Sequence, residues 1–176
     1  PGYRYRIQFM KPIHTDKYLL IIFLLSVSCT SRYPGPLSPE KALESFELRE
    51  GFRIEPFATE PFVHDPVCME FDEQGNVYAL EMPDYPFKPE IGKAKGRIIQ
   101  LKDNNGDGRV DESVVFADSL MEATSILPWK GGLLVTTAPY ILYLKDTDGD
   151  GRSDKREVLF SGFFDQNSEA QITSLS

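Results

Sequence analysis

Two stretches of this chain spell nearly the same words: Leu101-Lys-Asp-Asn-Asn-Gly-Asp-Gly-Arg-Val-Asp111 and Leu144-Lys-Asp-Thr-Asp-Gly-Asp-Gly-Arg-Ser-Asp154. Each follows a run with strand-like alternation and leads into another. A fixed spacing of about 43 residues is the length of one repeat in a propeller or solenoid, where each unit buries its faces only against its neighbours. Self-similarity at that period constrains the fold more than any composition could. The expected class is therefore all-β, built from β-propeller blades of four short strands.

Oxygen-bearing side chains fall at positions 1, 3, 5 and 9 of each copy. They are Asp103, Asn105, Asp107 and Asp111, then Asp146, Asp148, Asp150 and Asp154. Gly108 and Gly151 stand at position 6, where an EF-hand-like loop makes its sharp turn. Arg109 and Arg152 at position 7 need offer only a backbone carbonyl. Glu157 stands at position 12 of the second copy, where Val114 stands in the first, so a cation is expected to bind more tightly in the second. Alternate oxygens around a glycine turn suit a hard cation with many oxygen ligands, and the expected cofactor is structural calcium. The competing reading is an Asp/Gly-rich β-turn whose carboxylates cap their own backbone amides. A helix-loop-helix sensor does not fit, because both flanks alternate as strands.

Strands are predicted at Pro66–Phe71, Val77–Met82, Gly96–Leu101, Val114–Phe116, Ser125–Trp129, Leu133–Thr137, Tyr140–Leu144 and Val158–Phe160. Asp72-Glu-Gln-Gly-Asn76 and Lys130-Gly-Gly132 read as hairpin turns. Phe52, Ile54 and Phe57 suggest one earlier strand, and Gln171–Leu175 suggests the start of a third blade. Residues 51–176 are thus expected to form about two four-stranded blades plus the start of a third, as a propeller portion truncated at its C-terminus. Its natural partners are the remaining blades, because two blades cannot close a ring.

The segment before this body reads differently. Met10 looks like the true start, with residues 1–9 a consequence of start-site choice. Lys11 and Lys17 precede the apolar run Tyr18–Leu25, which is too short to span a bilayer and reads as a signal peptide ending at Cys29. Small residues ending in a cysteine match a bacterial lipobox, although Ser26 stands where leucine is usual. Lipidation at Cys29 would make the chain an exported lipoprotein, periplasmic or on the cell surface of a Gram-negative bacterium, with the membrane as a partner. Residues 30–50 read as a tether and a short helix opened by Ser38-Pro39-Glu40.

With 41% apolar residues the 176-residue chain has the material for a packed core. Its net charge is −8, and the first 28 residues are net basic, so the body is more acidic still. Such a body disfavours nucleic acid and suits multivalent cations. Two cysteines, Cys29 and Cys68, exclude a disulfide framework and a Cys-x-x-Cys-His haem site. Lys88–Arg97 reads as a solvated basic loop, Trp129 as core and Cys68 as a buried thiol. Two segments are candidate pocket linings for a sugar or glycan. One is Glu81, Asp84 and Tyr85, and the other is Asn167, Glu169 and Gln171.

Gly51-Phe-Arg-Ile, Ala58-Thr-Glu-Pro61, Asp65-Pro66, Glu81-Met82 with Tyr85-Pro86, Gly96-Arg97-Ile98 and the Leu-Lys-Asp acidic loop occur in this order. Together they resemble the N-terminal propeller of the membrane-bound dehydrogenases of Planctomycetes, Verrucomicrobia and Bacteroidetes. That family is similar to the glucose/sorbosone dehydrogenases, six-bladed quinoproteins. The resemblance implies an exported sugar or alcohol dehydrogenase-like protein using pyrroloquinoline quinone, with haem c confined to a downstream domain. It places no catalytic residue in these 176 positions, and turnover by this chain alone is not expected. The alternative is a non-catalytic surface propeller that binds glycans or partner proteins.

Overall fold

The computed structural model describes residues 35–163 together with Ile172, Ser174 and Leu175. The signal segment with Cys29, most of the tether, and Asn167, Glu169 and Gln171 lie outside the described residues. Among the described residues one short helix, α1 (Pro39–Glu44), precedes eight strands. They are β1 (Pro66–Phe71), β2 (Val77–Glu81), β3 (Gly96–Lys102), β4 (Glu112–Leu120), β5 (Ala123–Trp129), β6 (Gly132–Thr137), β7 (Tyr140–Lys145) and β8 (Lys155–Ser161). These make two four-stranded antiparallel sheets in plain meander order, β1-β2-β3-β4 and β5-β6-β7-β8. Each acidic loop joins the third strand of a sheet to its fourth.

The sheets share two of their irregularities, and a further shift between Gly96 and Ile98 belongs to the first alone. In the first, the register shifts between Pro66 and Cys68 and again between Ile98 and Ile99. In the second it shifts between Ala123 and Ser125 and between Ile141 and Leu142. Aligning these shifts pairs Met69 with Ile126, Val77 with Leu133, Ala79 with Val135, Ile99 with Leu142 and Leu101 with Leu144. A common set of pleats thus points the same way in both sheets, because side chains alternate faces along a strand.

Packing follows from that alternation. The Ile126 face of the second sheet (Ile126, Leu133, Val135, Leu142, Leu144) packs on the opposite face of the first, where Leu80, Ile98, Phe116 and Leu120 meet it. Leu80, Ile98, Ile126 and Leu144 are fully buried there, and each such side chain contributes about 1.5–3 kcal/mol. The equivalent face of the first sheet carries Val77, Ala79, Ile99 and Leu101, joined by Val110. No third sheet covers it among the described residues. Phe57, Ala58, Phe62 and Val63 of the preceding segment pack there instead.

Several sequence expectations are corrected. Residues 51–65 contain no strand, since their backbone meets no neighbouring strand among the described residues. The helix stops at Glu44, short of Phe46, and buries none of its residues. Trp129 ends β5 at 38% exposure and packs edge-on against Tyr143 rather than entering the core. Cys68 is only half-buried, being on the outer strand of its sheet. Within the Lys88–Arg97 loop, Arg97 and Lys88 are tied to the buried carboxylates Glu81 and Glu122, so the loop is not simply solvated. No helix of the described residues is long and apolar enough to cross a membrane.

Candidate functional site

Both acidic loops are built around their first aspartate. The Asp103 carboxylate accepts hydrogen bonds from the amides of Gly106 (2.7 Å) and Gly108 (2.8 Å). Asp146 does the same for Gly149 (2.6 Å) and Gly151 (2.8 Å). Gly108 and Gly151 adopt φ of +84° and +87°, a left-handed turn that a side chain would strain. These amides favour the charged carboxylates: Gly108 foremost holds Asp103 below the ordinary aspartate range, and Gly149 foremost does so for Asp146.

The later positions extend the pattern. Asn105 accepts from the amide of Asp107 (2.8 Å), and Asp107 from that of Arg109 (2.9 Å). In the second loop Asp150 accepts from the amide of Arg152 at 2.7 Å. Position 9 ties each loop back to its start. Asp111 accepts from the amide of Asn104 (2.9 Å) and the side chain of Asn105 (3.1 Å). Asp154 accepts from the Thr147 hydroxyl and from the Thr147 amide at 2.9 Å, and the hydroxyl foremost lowers its pKa.

Carboxylate oxygens of Asp146, Asp148 and Asp150 lie within 4.8 Å of one another. That spacing fits a shared hard cation held at about 2.3–2.6 Å from each oxygen. Glu157 stands apart from this group. It lies on β8 opposite Tyr143, and its carboxylate sits 3.0 Å from Lys155 Nζ, raising the lysine's pKa chiefly by that hydrogen bond. The self-capping bonds and the convergent oxygens belong to the same loop, so the residues serve both the turn and the cation readings.

The other candidate segment is anchored more than it is open. Glu81, at the end of β2, is 1% exposed; it accepts the His64 amide at 2.6 Å and pairs with Arg97. Asp84 accepts the amide of Lys95 at 2.7 Å. Tyr85 is exposed beside a shallow hollow of about 440 Å³, lined also by Pro66, Val67, Met82 and Pro83.

One polar cleft was not apparent from spacing. Asp72, Gln74, Asn76, Tyr78 and Gln100 of the first sheet face Asp146 and Gly151 of the second loop across about 230 Å³. Its walls come from different repeats, so only packing brings them together. Asp72 is already engaged with the amides of Gln74 and Asn76 and with the Asn76 side chain.

Residues 38–176 match the model of a family described as a domain of unknown function, DUF7133. The chain belongs to that family. Neither a curated protein nor a solved structure matches it.

In this DUF7133 chain the cleft also sets a titration. Burial, then the charges of Asp72 and Asp146, push the Tyr78 phenol from 10.0 up to about 12. The folded value is raised, so this residue's contribution to stability is intact below pH 10.0 and falls as pH climbs toward 12. Ultraviolet titration of Asp72→Asn is expected to bring Tyr78 down from about 12; an unchanged curve would show that the Asp72 charge does not hold it there.

Proposed function

We propose that this chain is part of a β-propeller in an exported, lipid-anchored protein of the sugar or alcohol dehydrogenase type. In this reading its two acidic loops are calcium-holding corners. The observation that carries the propeller is a repeated junction. β5 packs on β1 and β2 of the sheet before it, and the next segment lands on β5 in turn. Thr124 Oγ1 donates to the carbonyl of Ile172, and the Leu175 amide donates to Ser125 Oγ at 3.3 Å. Each unit thus hands its face to the next, which is how a radial array propagates.

Calcium would be held by Asp146, Asp148 and Asp150, with Asp103, Asn105 and Asp107 as the counterpart set. The bound ion would offset clustered negative charge and pin the third strand to the fourth. Chelation is expected to lower Tm by about 5–10 °C, from a binding contribution near 3 kcal/mol. Asp146→Asn with Asp150→Asn should abolish the response, and a Tm unmoved by excess chelator would exclude the structural ion.

Pyrroloquinoline quinone, the cofactor expected for such a dehydrogenase, is an anionic quinone that would supply hydride-accepting chemistry. The Glu81–Tyr85 segment does not fit it. The hollow beside Tyr85 is lined by Asp65, Pro66, Val67, Met82 and Pro83, with no basic side chain to hold an anion, and Arg97 is already committed to Glu81. No catalytic step is assigned to these residues.

The surface-binding alternative draws support from exposed Tyr85 over its hollow, a platform on which a sugar ring can stack. Dye reduction across a sugar panel by a full-length protein that includes this chain, reconstituted with the quinone, separates the two readings. Activity selects the dehydrogenase; silence with retained glycan binding that Tyr85→Ala abolishes selects the binding module.

A further inference from the structure

The two acidic loops are stapled from outside by the same atom. In the second, the amide at position 8, Ser153, donates to the carbonyl of Phe116 at 2.7 Å. Phe116 is the extra residue at the register shift of β4, between Val115 and Ala117. In the first, the amide at position 8, Val110, donates to the carbonyl of Phe57 at 2.9 Å. Phe57 and Ala58 pack on Val77, Ala79, Ile99 and Leu101. Phe116 and Ala117 pack on the second sheet's equivalent residues, Leu133, Val135, Leu142 and Leu144. Residue type, hydrogen bond and packed face all agree.

We infer that Arg53–Thr59 is the fourth strand of a sheet whose first three strands come from elsewhere. It is a docking edge for a three-stranded antiparallel meander of this same repeat. The inference rests on the repeat reading above and adds a partner and a register to it. Three features fit an edge awaiting a strand. Arg53, Ile54 and Glu55 have extended-type alternation, with Phe52 and Ile54 exposed and apolar. Among the described residues the backbone of 53–56 takes no backbone partner. Pro56, which cannot donate to a ladder, sits where only an edge strand tolerates it. Beside this edge the exposed side chains of Val67, Met69 and Phe71 run along β1, next to an apolar groove of about 590 Å³ that also includes Ala42, Leu43 and Phe57. Their counterpart Ile126 is covered by a neighbouring sheet. The incoming third strand would pair with Arg53–Thr59 while its first strand covers Met69.

Donors alternate along an antiparallel edge, so with Pro56 silent the ladder amides are those of Arg53 and Glu55. The test offers the full chain a synthetic peptide of residues 123–145, the second sheet without its fourth strand. Amide exchange is read residue by residue. The expected result is saturable binding with new protection at Arg53 and Glu55 and loss of exposure at Met69. Glu55→Pro should leave Tm unchanged, since Glu55 is exposed and unladdered, and weaken peptide binding about tenfold. A longer peptide, 123–161, which carries its own fourth strand, should not bind. Absence of binding by 123–145, or equal binding by 123–161, overturns the proposal. Binding that covers Met69 but survives Glu55→Pro overturns the strand assignment while leaving the repeat reading standing.

Discussion

Truncating Ile126 to alanine is expected to destabilise the fold by about 3–4 kcal/mol, whereas Met69→Ala should cost under about 1 kcal/mol. The two residues hold the same place in their sheets. Each is on the first strand, one residue past the register shift, opposite Val135 and Ala79 respectively. The difference lies in what covers them. Ile126 is 0% exposed in the junction between sheets, while Met69 is 50% exposed. Removing buried methyl groups loses their transfer energy and leaves a cavity, but water already reaches the open site. Denaturant unfolding of both variants checks this. Equal costs would mean that the junction does not hold the sheets together.

Arg97→Ala is the second large effect. Glu81 is buried at the end of β2 and faces Arg97 on β3, its cross-strand partner. Without the guanidinium, the carboxylate keeps, among the described residues, the His64 amide at 2.6 Å. A buried charge left with part of its solvation is costly, and a loss of about 3 kcal/mol is expected. Arg97 is itself partly exposed, so the effect should fall short of that for a fully buried pair. The double variant Glu81→Gln, Arg97→Ala is expected to recover part of the loss, because the amide carries no charge to strand. No recovery in thermal unfolding would mean that Arg97 acts through packing of its stem instead.

These two residues show how far local pattern reached. Alternation placed all eight strands, and the Asp/Gly punctuation placed both loops between third and fourth strands, because period and turn chemistry are local properties. The same alternation suggested a strand at Phe52–Phe57. That segment has the pattern of a strand, but no neighbouring strand pairs with it among the described residues. Glu81 is a pocket candidate from sequence because its segment follows an inner-type strand, where the central face of a propeller would be. Its burial depends on Arg97, which lies across a loop from it. Trp129, read as core at a strand end, is instead 38% exposed there.

For the acidic loops, the spacing of oxygens around Gly108 and Gly151 was sufficient to determine the turn, because each carboxylate reaches amides only a few residues away. Which oxygens converge was decided otherwise. Glu157 is in step with the loop in sequence, but β8 pairs with β7 and turns it toward Lys155. The amide at position 8 finds its carbonyl in a segment that no sequence spacing indicates, Phe57 for one loop and Phe116 for the other. The sequence by itself determined the repeat, its strands and its turns, all set by contacts within a few residues. Only the tertiary structure decided which faces are covered among the described residues, because burial depends on neighbours distant in the chain.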